Sequence, residues 1–243
     1  MATRERSRPT ARERARAEMT AEITDEARRQ LAEVGAAGLS LRSVARALGV
    51  ASSALYRYYP SRDELLTALI IDAYDALGAA AEAADDGAVT DGAVAGERWL
   101  RVCRAVRDWA RAHPHEWALV YGSPVVGYAA PVDTVEPATR IGRVLAGVAA
   151  AAMAEGLVRS PEAPLPGPSV VEPTVAVFAG VEPEQEDFVE RAIVMWIALV
   201  GSVGFELWGH LHNVVTDHDA FFDRAMAVAA DAAGITVPRD LVR

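Results

Sequence analysis

Cysteine is nearly absent from this chain, with one residue, Cys103, among 243. A single thiol makes neither an internal disulfide nor a thiolate zinc finger, so neither holds the fold together. Lysine is missing altogether. All 24 basic residues are arginines, which with the alanine excess reflects a GC-rich coding bias more than selection for guanidinium chemistry. Long apolar runs are missing too: no 18-residue stretch is free of charge. Arg4, Arg6 and Arg8 at the N-terminus are not followed by an apolar segment, so we expect a cytoplasmic, unprocessed protein with no membrane span. No glycine-rich phosphate loop and no Gly-x-Ser-x-Gly elbow occurs. The expectation is a protein without a cofactor that is not an enzyme. Sustained period-2 alternation is also lacking, whereas apolar residues recur at helical spacing nearly everywhere, and the fold class that follows is all-α.

What the chain has is apolar side chains, 51% of the total, enough for one large or two modest packed domains. Its net charge of -10 would argue against a nucleic-acid partner if it were evenly spread. It is not. Residues 1–66 hold twelve arginines against nine acids, a balance of +3, which leaves -13 for the remainder. Six of those arginines fall within the first 16 residues, interleaved with Glu5, Glu13 and Glu18. We expect residues 1–17 to form a flexible Arg-rich arm, followed by two helical domains, 18–66 and 67–243.

Ile23, Ala27, Leu31 and Val34 have helical spacing and stop before Gly35 and Gly38, a helix end. Further helices are predicted over 64–84, 97–112, 115–121, 135–158, 183–213 and 217–233. The acidic segment 85–96 reads as a hinge or loop, and the prolines between Pro161 and Pro173 as a loop that continues neither neighbouring helix.

Residues 40–59 carry the most information. Leu41, Val44, Ala45 and Leu48 make one helical stripe with Ser40 placed to cap it. Gly49 supplies a helix stop, Val50 a buried turn position, and a second short helix begins near Ser52 or Ser53. Ser61 and Glu64 then have capping-box spacing and restart a helix. Helix, tight turn, helix is the helix-turn-helix arrangement, which places its second helix in a DNA major groove. An ordinary helical hairpin has the same periodicity.

The run from Ile23 through Leu66 resembles the N-terminal domain of the TetR family of transcriptional regulators. The resemblance lies in Gly35, Ser40, Leu41, Val44-Ala45, Gly49-Val50, Leu55-Tyr56-Arg57, Pro60-Ser61 and Leu65-Leu66. It implies that Ser40, Tyr56 and Arg62 bind phosphates and that Ala51, Ser52, Ser53, Ala54, Arg57 and Tyr58 face the groove. Against the usual pattern, Ala51 stands where a serine cap is common, Ala54 where threonine often meets phosphate, Tyr58 where histidine is common, and Arg62 for lysine. Arginine keeps a phosphate contact, while two lost hydroxyls suggest fewer backbone contacts or a cap moved to Ser52. Arg42, Arg46 and Arg57 are the candidates for guanine contacts. The N-terminal arm is a candidate for minor-groove or phosphate contact.

One helix-turn-helix has too few contacts for tight specific binding, so a homodimer on a palindromic double-stranded operator is expected. Ala198, Gly201 and Ser202 on the penultimate helix and Ala225, Met226 and Ala229 on the last are the expected pairing surface, closing a four-helix bundle. The stretch Gly201 to His210, with Trp208-Gly209-His210, resembles a C-terminal domain type of a TetR subset, the WHG type. From that resemblance a pocket for a small organic effector is placed near Trp99, Cys103, Trp117, Tyr121, Met153, Trp196 and Phe205. The His113/His115 and His210/His212 pairs lack the geometry and partners of a metal site. The expected function is therefore a ligand-released repressor, with a metal- or redox-responsive sensor or a ligand-independent DNA-binding protein as alternatives.

Overall fold

The computed structural model describes residues 10–156, 158, 165, 167, 170–172 and 186–243; the prolines from Pro161 to Pro173, on which a loop was expected, and Phe178 lie outside them. The described elements are helical. They are α1 (Ala11–Gly38), α2 (Leu41–Ala47), α3 (Ser52–Leu55), α4 (Arg62–Thr90), α5 (Ala95–Ala112), α6 (Pro114–Tyr121), α7 (Val135–Ala138), α8 (Arg140–Ala154), α9 (Glu186–Leu207) and α10 (His218–Ala232), with short 3-10 turns at Val132–Thr134 and Arg239–Leu241.

Two cores share α4. Ile23, Ala27, Leu41, Val44, Leu55, Leu65 and Leu66 form the N-terminal one, and Leu77, Trp99, Trp117, Leu199, Phe222 and Met226 belong to the other. The sequence boundary at 66/67 thus falls inside a continuous helix rather than in a linker. Charged clamps fasten the bundle: Arg28 of α1 reaches Asp72 of α4 at 2.6 Å, and Arg140 of α8 pairs with Asp75 and Glu82 of α4 at 2.8 and 2.6 Å. Trp99 Nε1 donates to the Met226 carbonyl at 2.9 Å, tying α5 to α10.

The structure corrects several sequence expectations. Residues 11–17 are not a flexible arm but the opening turns of α1. Thr10 caps them, its hydroxyl accepting from Glu13 N at 3.2 Å while the Glu13 carboxylate accepts from Thr10 N at 2.6 Å. The helical conformation breaks at Gly35, whose φ of 67° suits glycine alone. Residues 85–90 are no hinge, because α4 runs on through Thr90. Asp85 accepts two bonds from Arg98 of α5 at 2.8 Å each, and Ala88 is fully buried, so tertiary contacts override the local glycine and charge. The predicted helix over 135–158 is two helices, α7 and α8, with Thr139 between them. Ser40 makes no side-chain capping bond to α2, and although α3 begins at Ser52 as expected, its cap stays at Ala51 and does not move to Ser52.

α9 departs from the expectation that no segment reaches membrane length. Asp187–Leu207 is long and apolar enough by length and composition only, and the charge-free criterion passed over it because Glu190, Arg191 and Glu206 interrupt the segment; 28% of the apolar window is buried.

Candidate nucleic-acid interface and effector pocket

The helix-turn-helix is built by α2 and α3. Leu41, Val44, Ala45 and Leu55 are buried, and the absence of a large side chain at Ala45 lets the two helices meet. Gly49 sits at φ +68°, and the turn closes with Val50 N donating to Ala45 O at 3.0 Å. α3 is a single helical turn continued by bonds from Arg57 N to Ala54 O at 3.2 Å and Tyr58 N to Leu55 O at 2.9 Å. Arg42, Arg46, Ala51, Ser53, Tyr56 and Arg57 are exposed, and Ser40, Ser52, Ala54 and Tyr58 are half-buried. Among the described residues Arg42, Arg46 and Arg57 make no ion pair, which leaves their guanidinium groups available to an anion.

Arg62 departs from the phosphate role that the resemblance implies. Its Nη2 donates to Ala36 O at 2.7 Å and its Nε to Leu39 O at 3.1 Å, with Asp63 at 3.5 Å. These carbonyls belong to the end of α1, where a helix leaves acceptors unsatisfied and its dipole favours a cation. Arg62 therefore ties the start of α4 to the end of α1 and positions the recognition unit. Arg16 is a residue that the motif reading did not single out: its guanidinium lies over the Tyr58 ring at 5.1 Å.

The expected pocket residues divide. Trp99, Cys103 and Trp117 are fully buried, and Tyr121 and Met153 pack on the same cluster. Trp117 and Tyr121 rings lie 4.6 Å apart, and burial pushes the Tyr121 phenol up, only partly offset by its bond with Trp196. Trp196 and Phe205, by contrast, are 41% and 54% exposed; nine residues apart, they leave α9 on opposite sides, and only Trp196 reaches Tyr121. The cavity beside Trp99, between Leu145, Val148 and Met195, holds about 10 Å³, room for one water at most and far too little for an organic molecule. Among the described residues the buried Trp117 indole N–H has no hydrogen-bond partner.

The pairing residues divide as well. Met226 and Ala229 are buried in the chain's own core, so they cannot face a partner. Ala198, Ser202 and Ala225 are half-buried and Gly201 is exposed, with nothing within 4 Å of a Cβ built on it. One side of α9 is left open through Val194, Ile197, Gly201, Phe205 and Trp208, and Phe221 and Val228 are exposed on α10. Gly204 packs inside the subunit, where a Cβ would meet Trp208 at 2.8 Å.

A helix-turn-helix with free arginines, joined through one long helix to a tryptophan-rich bundle, defines a DNA-binding transcriptional regulator. The family described as bacterial regulatory proteins, tetR family, matches residues 23–69, and the tetracyclin repressor-like C-terminal domain matches residues 99–229. HTH-type transcriptional regulators Mb1846 of Mycobacterium bovis and Rv1816 of Mycobacterium tuberculosis are each 41% identical over 217 residues, covering 86% of this chain and 89% of their own. The crystal structure of the protein SCO4313 superposes with a TM-score of 0.69 at 32% identity, over 91% of this chain and all of that one. A Rhodococcus sp. RHA1 protein shares the fold, with a TM-score of 0.64 at 21% identity over 99% of this chain and 100% of its own. The chain belongs to the TetR family; it is a DNA-binding regulator of transcription and not an enzyme.

Proposed function

We propose that this regulator is a cytoplasmic homodimeric repressor that a small organic molecule releases from a palindromic operator. One observation carries the release step. α6 bears Trp117 and Tyr121 in the C-terminal core, and the same segment continues into Leu119, Val125 and Tyr128, which pack on the DNA-binding core. Tyr128 Oη lies 2.9 Å from Thr67 Oγ1 on α4. A molecule inserted beside Trp117 that accepts its unpartnered N–H displaces α6, and α4 with its DNA-binding core follows. Two recognition helices about 34 Å apart then lose register with successive major grooves. The open apolar side of α9, with the exposed apolar residues of α10, supplies the pairing surface of a four-helix bundle.

At the operator, Arg42, Arg46 and Arg57 are the base-reading candidates. Ser40 and Tyr56 contact phosphates, and Ala51, Ser52, Ser53, Ala54 and Tyr58 line the groove-facing surface. The closed core favours a second reading, a DNA binder that needs no ligand. Footprinting across the protein's own promoter, with and without pooled hydrophobic metabolites, separates the two. Protection lost in one pool supports release, and protection kept in every pool favours the ligand-independent reading.

A further inference from the structure

The core-facing side of α1 runs through Ala27 and Ile23, both fully buried, and through Met19, which packs on the same cluster. At 100° per residue Arg16 and Arg12 point within about 20° of the direction of Ile23, whereas Arg14 points about 180° away. Apolar positions thus become arginines at the point where this side of the helix runs past its core. Glu13 and Glu18 interleave with these arginines in sequence but fall about 80° and 140° off the stripe. Glu13 is also committed to the Thr10 cap. Arg12, Arg14 and Arg16 make no ion pair among the described residues. Most other described arginines are clamped to carboxylates, as Arg98, Arg104, Arg107 and Arg140 are. The stripe abuts the recognition unit, because the Arg16 guanidinium covers the Tyr58 ring at 5.1 Å. The family match begins at residue 23, so these turns precede the family-matched DNA-binding domain.

We propose that the first three turns of α1, residues 11–22, form a second DNA-contacting element in which Arg12 and Arg16 hold backbone phosphates flanking the half-site under α3. A duplex that reaches the free Arg57 and Tyr58 also passes the adjoining stripe, and the stripe presents uncompensated positive charge to it. The element is a capped helix. At about 10 Å across, it does not enter a minor groove about 6 Å wide, so the contacts are to phosphates. Arg14, on the opposite side, stays in solvent.

The full chain and its R12Q/R16Q and R14Q variants are titrated by fluorescence anisotropy against two 40-bp duplexes, one of arbitrary sequence and one footprinted upstream of its own gene, from 50 to 300 mM NaCl. Circular dichroism checks that helicity is unchanged. The double variant is expected to flatten the dependence of log K on log salt by about 0.9 per arginine per protomer on both duplexes, with R14Q matching wild type. An unchanged slope in the double variant overturns the proposal, as does an equal loss in R14Q, which would make the effect one of net charge alone. Failure of the wild type to bind the upstream duplex would count against the regulator reading instead.

Discussion

Cys103 belongs to the same buried cluster as Trp99 and Trp117, and burial pushes its thiol well above the ordinary range, with Asp223 adding to the shift. A buried thiol without thiolate character is a poor redox sensor, which weakens the redox alternative. Cys103 is expected to resist Ellman's reagent at pH 8 in the native protein and to react fully in guanidinium; rapid native labelling would restore that alternative. Asp223 is the matching charged case. Burial raises its carboxyl pKa, but bonds from Arg104 at 3.0 and 2.6 Å and from Arg243 N outweigh burial and leave it lowered. Asp219 is lowered mainly by its bond with Arg107. A carboxylate with a lowered folded pKa stabilises the native state above its unfolded value of about 3.9, and that stabilisation is lost as pH falls through the folded value. These two groups therefore leave stability unchanged from pH 7 to 5 and remove it below about pH 4. In urea titrations Asp223→Asn should lower stability at pH 7 and flatten the decline below pH 4.

At the scale of elements, the helical periods, the Gly49 turn and the break at His113-Pro114 were all readable, because each depends on neighbours within about two turns. Ser61 fulfils its predicted role, its hydroxyl accepting from Glu64 N at 3.1 Å. Ser61→Ala is expected to cost about 1 kcal/mol in chemical denaturation. Ser40 lacks a Glu or Gln three residues on, Ser43 standing there, and at ψ 126° against 164° for Ser61 it makes no such bond. The continuation of α4 past Asp85 was not readable, since the stabilising partner, Arg98, comes from the next helix. Gly96 was equally silent in sequence, yet a Cβ there would overlap the Thr236 carbonyl oxygen. Gly96→Ala should detach the C-terminal segment from α5 and lower the melting temperature by more than Gly35→Ala does. At Gly35 only the backbone angle is strained, with open space around the site.

At the scale of the whole molecule, the open face of α9 has one apolar residue every three or four positions from Val194 to Trp208, the pattern of a helix that lacks its neighbour. Ile197 is 59% exposed within it. The proposed dimer predicts that the wild type sediments at twice the protomer mass and that Ile197→Glu, with helicity intact, sediments as a monomer; an Ile197→Glu dimer would place the pairing surface elsewhere. Met226 was misassigned to this surface because a helical wheel shows which residues share a face without showing which face turns inward. The sequence by itself determined the helical class, the helix-turn-helix and the polarity of charge, +3 at one end and -13 over the rest, since composition and short-range spacing suffice for these. Only the tertiary structure decided which arginines are free. Arg62 is held by the end of α1 and Arg104 by Asp223, 119 residues away, while Arg12, Arg16, Arg42, Arg46 and Arg57 keep their charge for a partner. Guanidinium pairing depends on carboxylates and carbonyls that packing brings together, and nothing local in the chain records which will arrive.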